Sequence, residues 1–308
     1  MKITQDNENS SSSFPFRKAL EWILLSTFLI SGSCALAVFY YRHVKDSYAK
    51  DDRYKIVALV QTCNDNECLK TGYLAELLDL SIDRPSNLYR FKTREARKRL
   101  LESPLIKTAE VKKIKPGTIY IDYTLRKPAA YIAELTNTAM DDEGVLIPFK
   151  PFFTPKNIPE FVLGLDEETS DPAALKWGTR LQGKKTRIAL HMLKLLSENY
   201  AKEGTLIRRI DVSKAFAPSY GQREIVVILE DRREKSYNSN SYLYIYPRTI
   251  RFSTNRYLQE LADFGALRDR LNKMGEPSEA ASQSTVWKAP GMLIDMRIPQ
   301  LAFIGKVE

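Results

Sequence analysis

The longest apolar stretch in the chain runs from Trp22 to Tyr41 without a charged residue. About twenty such residues, at 1.5 Å per residue in a helix, match the hydrocarbon core of a bilayer. The pattern predicts one transmembrane helix over residues 19–41, in which only Glu21 is charged. Trp22 at one end and Phe39, Tyr40 and Tyr41 at the other are placed as interfacial aromatics, flanked by Arg17, Lys18, Arg42 and Lys45. The basic flanks are similar in number, so they leave the orientation open. Ser31, Gly32, Ser33, Ala35 and Ala37 would let a partner helix approach closely, although a lone span also tolerates such residues. Ser31-Gly32-Ser33-Cys34 has the look of a lipoprotein cleavage site, but the apolar run continues seven residues beyond Cys34, as a retained span requires. Residues 1–18, with serines at 10–13, are too polar to offset the entropy of ordering and read as a disordered tail; 42–53 reads as a linker.

Beyond the span the periodicity changes repeatedly. Tyr54 to Val60 alternates as a strand, and Thr71 to Leu80 carries Leu74, Leu77 and Leu78 at helical spacing. A second helix, Arg94 to Glu102, is expected to be capped by Thr93, to bury Ala96, Leu100 and Leu101, and to pair Glu95 with Arg99. Ala109, Val111 and Ile114 mark a strand, and Ile119, Ile121, Tyr123 and Leu125 mark its hairpin partner across the turn at 115–118. The order is β-α-α-β-β over residues 54–132. The remainder, 133–308, reads as a second domain, in which the segment 148–159 is too punctuated by prolines for a helix or a central strand. A helix from Thr179 to Glu203 follows, with Ile188, Ala189, Met192, Leu193, Leu195 and Leu196 on its apolar face. Strands are predicted at Leu206–Ser213, Glu224–Glu230 and Tyr242–Ser253, the last broken at Pro247-Arg248. A helix from Asn255 to Met274 is expected to bury Leu258, Leu261, Ala262, Leu267 and Leu271, followed by a flexible connection over 275–284 and a closing stretch from Met292 to Ile304. The fold class is therefore α+β behind a single N-terminal transmembrane helix.

Charge narrows the functional classes. The 308 residues carry a formal net charge of +9, which suits anionic partners. The basic residues are interleaved with acidic ones, and the densest run, Arg94 to Arg99, contains Glu95 and is spaced like a solvated helix face, so nucleic acid is not expected as a partner. The two histidines, His43 and His191, lie at the membrane exit and within a helix and form no catalytic arrangement. Nucleophile-elbow, zinc-protease, P-loop and dinucleotide motifs are absent from the sequence. No catalytic, cofactor or metal residues are assigned, and the chain is not expected to be an enzyme. Cys63 and Cys68 bracket a short polar loop that a disulfide would close in an oxidising compartment; two thiols are the alternative.

The stretch Ser86 to Phe91, then Arg97 to Lys113, then Pro116 to Ile121, closing on Arg126-Lys127-Pro128-Ala129-Ala130, is similar in order and spacing to the POTRA segment of the FtsQ/DivIB family. Asp141 to Pro148 resembles the family's turn into its second domain, Phe161 to Gly164 its short apolar strand and Ile294 to Arg297 its closing strand, which the resemblance places, over Met292 to Ile304, at the exposed edge of the sheet. The sequence departs from the pattern at Leu105-Ile106 and at Ile298-Pro299. The resemblance implies a POTRA domain followed by a curved mixed β-domain with flanking helices. It implies a non-enzymatic scaffold of the bacterial cell-division machinery, in the inner membrane at the septum, with a cytoplasmic N-terminus and periplasmic domains. It further implies binding of bitopic FtsB-like and FtsL-like division proteins and a link to septal peptidoglycan synthesis. A sheet edge offers such partners unpaired backbone groups, and Ile298, Leu301, Phe303 and Ile304 are the candidate contact residues. A POTRA-type docking or chaperone module for exported proteins is the competing reading.

Overall fold

The computed structural model describes residues 16–63, 67–81, 83–165, 175–200, 204–237, 240–274 and 286–306. The disordered tail expected over 1–18 lies outside them but for its last three positions, and the connection expected over 275–284 lies wholly outside. Helix α1 spans Phe16–Lys50 and is long and apolar enough to cross a membrane, with none of its apolar window buried. It continues nine residues past Tyr41, because residues 42–50 contain neither Pro nor Gly to end it. Its last turn docks on the folded part. The Tyr48 ring lies 5.3 Å from Tyr54 and 5.2 Å from Tyr89, and Asn87 Nδ2 donates to the carbonyls of Tyr48 and Asp51 at 3.0 and 3.1 Å.

The next five elements are β1 (Ala58–Cys63), α2 (Thr71–Leu77), α3 (Thr93–Glu102), β2 (Ile106–Ile114) and β3 (Thr118–Leu125). They form a sheet of order β1-β3-β2, with β1 parallel and β2 antiparallel to β3. The β-α-α-β-β order is the predicted one, but details shift. Strand β1 starts at Ala58 instead of Tyr54, since Asp52–Tyr54 is a 3-10 turn held by Arg53 N donating to Asp51 Oδ1 at 3.0 Å. Thr93 is the first residue of α3 instead of its cap, and the preceding Lys92 makes no side-chain cap bond. Ala96 and Leu100, one turn apart, are buried while Leu101 remains 39 % exposed. Glu95 pairs with Lys92 at 2.7 Å, and Arg99 instead reaches Asp79 at 4.0 Å. On β3 the alternating Ile119, Ile121, Tyr123 and Leu125 bury against Leu74, Leu78, Ala96 and Leu100 of the helices.

The remaining strands make a larger mixed sheet. In chain order they are β4 (Pro128–Ile132), β5 (Thr138–Asp141), β6 (Leu146–Pro148), β7 (Glu160–Val162), β8 (Thr205–Asp211), β9 (Ile225–Tyr237), β10 (Asn240–Phe252), β11 (Val286–Lys288), β12 (Met292–Ile298) and β13 (Leu301–Lys306). The sheet runs β13-β12-β10-β9-β8-β7-β4-β5-β6, with β11 beside β10. Strand β10 is not broken at Pro247, which stays in register with Glu230. On its other side β10 changes neighbour there, from β11 at Leu243–Ile245 to β12 at Arg248–Arg251, so the missing N–H falls in a gap. Helices α4 (Lys184–Tyr200) and α5 (Tyr257–Met274) cover one face. Helix α4 starts five residues later than Thr179, because the segment before it pairs with the turn at Gly144: Leu146 N donates to Thr179 O and Leu181 N to Gly144 O, both at 2.9 Å. Gly144 has φ +83°, and an added Cβ there would stand 2.8 Å from Leu181 O.

The two sheets share an interface. Ala139, Val145, Ile147, Phe149 and Phe153 bury against the first core. Arg126 bridges to Asp141 at 2.7 Å and Glu143 at 3.2 Å, while Lys107 reaches Glu143 at 3.0 Å.

Candidate functional site

The C-terminal segment is a hairpin and not the single strand expected from Met292 to Ile304. Strands β12 and β13 pair antiparallel through Asp295↔Phe303 and Ile294↔Ile304, with a register shift before Ile298↔Leu301. Pro299 and Gln300 form the connection, Gln300 with φ +60°. Strand β13 therefore ends the sheet, with a neighbour on one side among the described residues. Its free side presents backbone N–H and C=O groups.

All four candidate contact residues lie on this hairpin. Ile298 is 55 % exposed, Leu301 58 %, Phe303 62 % and Ile304 41 %. Opposed residues on neighbouring strands share a face. Phe303 accordingly sits with Asp295 on the side away from the helices, and Ile304 shares the helix side with the buried Ile294. Ala302 packs on the core. The alternation is thus Phe303 outward and Ala302 and Ile304 toward the helices.

Two surfaces extend from this edge. On the outer face, Arg251 of β10 bridges Glu224 at 2.5 Å and Asp295 at 3.4 Å, and Arg297 bridges Asp295 at 2.7 Å and Glu224 at 3.6 Å. Partial burial opposes ionisation of Asp295, but the hydrogen bonds from Arg297 and the charge of Arg251 outweigh it and hold its pKa below the usual carboxylate value. This ladder leads directly to Phe303. On the helix side, a groove of about 410 Å³ runs between α5 and the hairpin, lined among others by Arg256, Asp263, Leu267, Met296, Leu301 and Ala302. A second hollow of about 330 Å³ has Ile304, Met274, Leu271 and Met292 in its wall.

The register of α5 sets the shape of both hollows, and a buried ionic cluster holds that register. Asp231 of β9 is fully buried and accepts from Arg248 Nη1 at 2.9 Å, Arg268 Nη2 at 2.7 Å and Thr205 Oγ1 at 2.7 Å. Arg248 also donates to Asn272 Oδ1 of α5. Burial opposes ionisation of Asp231, yet the Arg268 hydrogen bonds and the Arg248 charge prevail and its pKa is lowered. Arg268 stacks over the Tyr200 ring at 4.9 Å. Near the start of α5, Glu260 accepts from Ser253 N at 2.6 Å and pairs with Arg256 at 3.1 Å.

The sequence pattern missed this arrangement. Leu258, expected in the core, is 52 % exposed, and Ala262 is exposed, while Glu260, Arg268 and Asn272 are buried. The available signal was Phe264 and Leu271, seven apart, with Arg268 midway on the same stripe.

Elsewhere, Cys63 Sγ donates to Glu67 O at 3.8 Å, and Cys68 is exposed at the far end of the loop. His191 Nδ1 lies 2.8 Å from the Tyr257 hydroxyl, between α4 and α5. Among the described residues no group of three His, Cys, Asp or Glu side chains is placed to hold a metal ion.

Residues 64–122 match the family model of the FtsQ-type POTRA domain. No curated protein matches the chain.

Proposed function

The chain carries an FtsQ-type POTRA domain behind an apolar helix suited to a single membrane span, a combination that fits the FtsQ/DivIB family, and we propose that it acts as a divisome scaffold whose docking edge is β13. The domain type supports an association with cell division through protein–protein interaction, and its family is generally one of non-catalytic scaffolds. The finer reading is that FtsB-like and FtsL-like bitopic proteins add a strand to β13 and so couple the complex to septal peptidoglycan synthesis. The observation that carries it is the exposure of Leu301 and Phe303 on β13, the terminal strand of the sheet, and of Ile298 at the adjoining end of β12. Such an edge is an aggregation hazard unless a partner covers it. The ion ladder beside Phe303 and the groove beside α5 supply polar selection on either side.

A photocrosslinking residue at Leu301 or Phe303, introduced into the full chain in dividing cells, tests this. Adducts with small bitopic membrane proteins at the division site support the reading. Adducts dominated by exported proteins in transit would replace it with the docking-module alternative.

The proposed topology places the N-terminus in the cytoplasm, residues 19–41 across the membrane, and the POTRA and β-domains in the periplasm; because β4 (Pro128–Ile132) pairs with β5 and β7 of the larger sheet, the proposed seam lies between Arg126 and Pro128 and not at 132/133 as expected from the sequence. Protease protection of the N-terminal tail, together with cleavage of a tag after Glu308, is the expected result in spheroplasts. In that compartment Cys63 and Cys68 are proposed to form a disulfide, contributing about 2 kcal/mol through the small loop it closes. Non-reducing alkylation followed by peptide mass mapping should find neither thiol labelled; labelling of both removes the pairing.

A further inference from the structure

A second surface lies where α1 leaves its apolar run. There the helix, α3 and the β2–β3 turn enclose a crevice of about 790 Å³. Its charged lining is Lys45, Lys92, Arg94, Glu95, Lys113 and Lys115. The single carboxylate, Glu95, is already engaged by Lys92 at 2.7 Å. Lys115 lies over the Tyr89 ring at 5.8 Å. Lys45, Arg94 and Lys113 have no carboxylate partner among the described residues. Partial desolvation, and then the nearby charge of Lys45, hold the solvent-exposed Lys113 ammonium below its ordinary pKa. The crevice thus gathers positive charge without a counterion, a cost that a bound anion would relieve.

Its position identifies the source of the anion. Tyr41 ends the apolar run and lines the crevice, and Lys45 follows four residues later on the same helix. Four residues of helix rise about 6 Å. The polar layer on each side of a bilayer is about 5–8 Å thick. Lys45 therefore stands at headgroup depth. We propose that this crevice binds the phosphate of an anionic phospholipid in the leaflet next to the folded domains. The occupant would lean α1 and the POTRA domain together through Lys45 on one side and Arg94 and Lys113 on the other, fixing how the domain stands on the membrane. The proposal rests on α1 spanning the bilayer.

The test uses the full chain in nonionic detergent, with phosphatidylglycerol or phosphatidylcholine added and retained lipid counted by native mass spectrometry. The wild type should retain phosphatidylglycerol in preference to phosphatidylcholine. Each charge removed should weaken retention about fivefold, so K45Q/R94Q/K113Q should lose about 100-fold. The matched surface variant K70Q/R90Q/K98Q should retain lipid as the wild type does, and so should K45R/K113R. Equal retention of the two lipids, or unchanged retention by K45Q/R94Q/K113Q, overturns the proposal. Equal loss in the surface variant also overturns it, by showing a general charge effect. Displacement of the lipid by an equal concentration of inorganic phosphate would show an ion site instead of a lipid site. Resistance of the same variants to carbonate extraction from membranes reports separately on the span.

Discussion

The two folded parts bury their helices by different means. In the POTRA part, Leu74, Leu100, Leu105, Ile119 and Ile121 are fully buried and the contact is mainly apolar, with neutral or backbone hydrogen bonds such as Tyr73 to Ser103 and Arg97 Nε to Ala109 O but no buried charge among the described residues. Among the described residues the buried charges Asp141, Lys185, Asp231, Arg248, Glu260 and Arg268 all fall after Lys127. Apolar contact is non-directional and tolerates small slips of a helix along a sheet. Ion pairs with fixed geometry do not, and a buried polar group is retained where one arrangement must be specified. The helix held this way, α5, is also the wall of the groove beside β13. The difference assigns stability to the POTRA core and, to the ionic cluster, the precision of the surface proposed above as a docking edge.

Breaking the cluster at its centre should produce the largest effect. Asp231→Ala leaves two buried guanidinium groups without their carboxylate, and a loss of about 3–5 kcal/mol is expected. Hydrogen exchange on the full chain should show it first in β9, β10 and α5. Replacing Asp231, Arg248 and Arg268 together by Leu, Met and Met should recover most of that stability. Partner affinity should nevertheless stay low, because α5 is no longer held in register. Full recovery of both would show that the cluster specifies nothing.

Leu100→Ala provides the apolar counterpart. It should cost about 3 kcal/mol through lost transfer energy and a residual cavity, with faster exchange in α2, α3 and β3 and little change in α5. Loss spread evenly over both parts would mean that the shared interface at Phe149 and Phe153 couples them into one unit.

Acid distinguishes the two cores more gently. The folded pKa of Asp231 is lowered, so its contribution is complete above the ordinary carboxylate value of about 3.9 and is lost as pH falls through the lowered folded value. As pH falls below the ordinary carboxylate value, exchange in β9, β10 and α5 should therefore accelerate before exchange in α2 and α3. The opposite order would contradict the role given to Asp231.

How much of this was readable depended on whether local pattern or tertiary pairing decided each element. The span, the β-α-α-β-β order and the alternation of β3 follow from residues that pack within their own unit, as Ile119, Ile121 and Tyr123 do. The start of α4 was not legible, because the residues near Thr179 pair with a turn more than thirty positions earlier. Nor was the buried face of α5, since a stripe containing Glu260, Arg268 and Asn272 looks solvated until Asp231 and Ser253 are opposite it. At the C-terminus the four candidate residues were readable as apolar positions near an edge. The hairpin was not, because its turn is a Pro-Gln pair without the glycine or asparagine that usually marks one.

The smallest expected change in stability belongs to the variant that bears most directly on the account. Phe303→Lys alters a side chain that is 62 % exposed on the terminal strand, so melting of the full chain should stay within about 0.5 kcal/mol of wild type. The measurement is the affinity of the purified variant for the bitopic partner that crosslinks to β13, taken beside its melting curve. A fall of at least about tenfold in affinity, equivalent to 1.4 kcal/mol, with melting unchanged is the predicted result. Unchanged affinity with an intact fold would place the docking surface elsewhere, and unfolding would show that Phe303 belongs to the core.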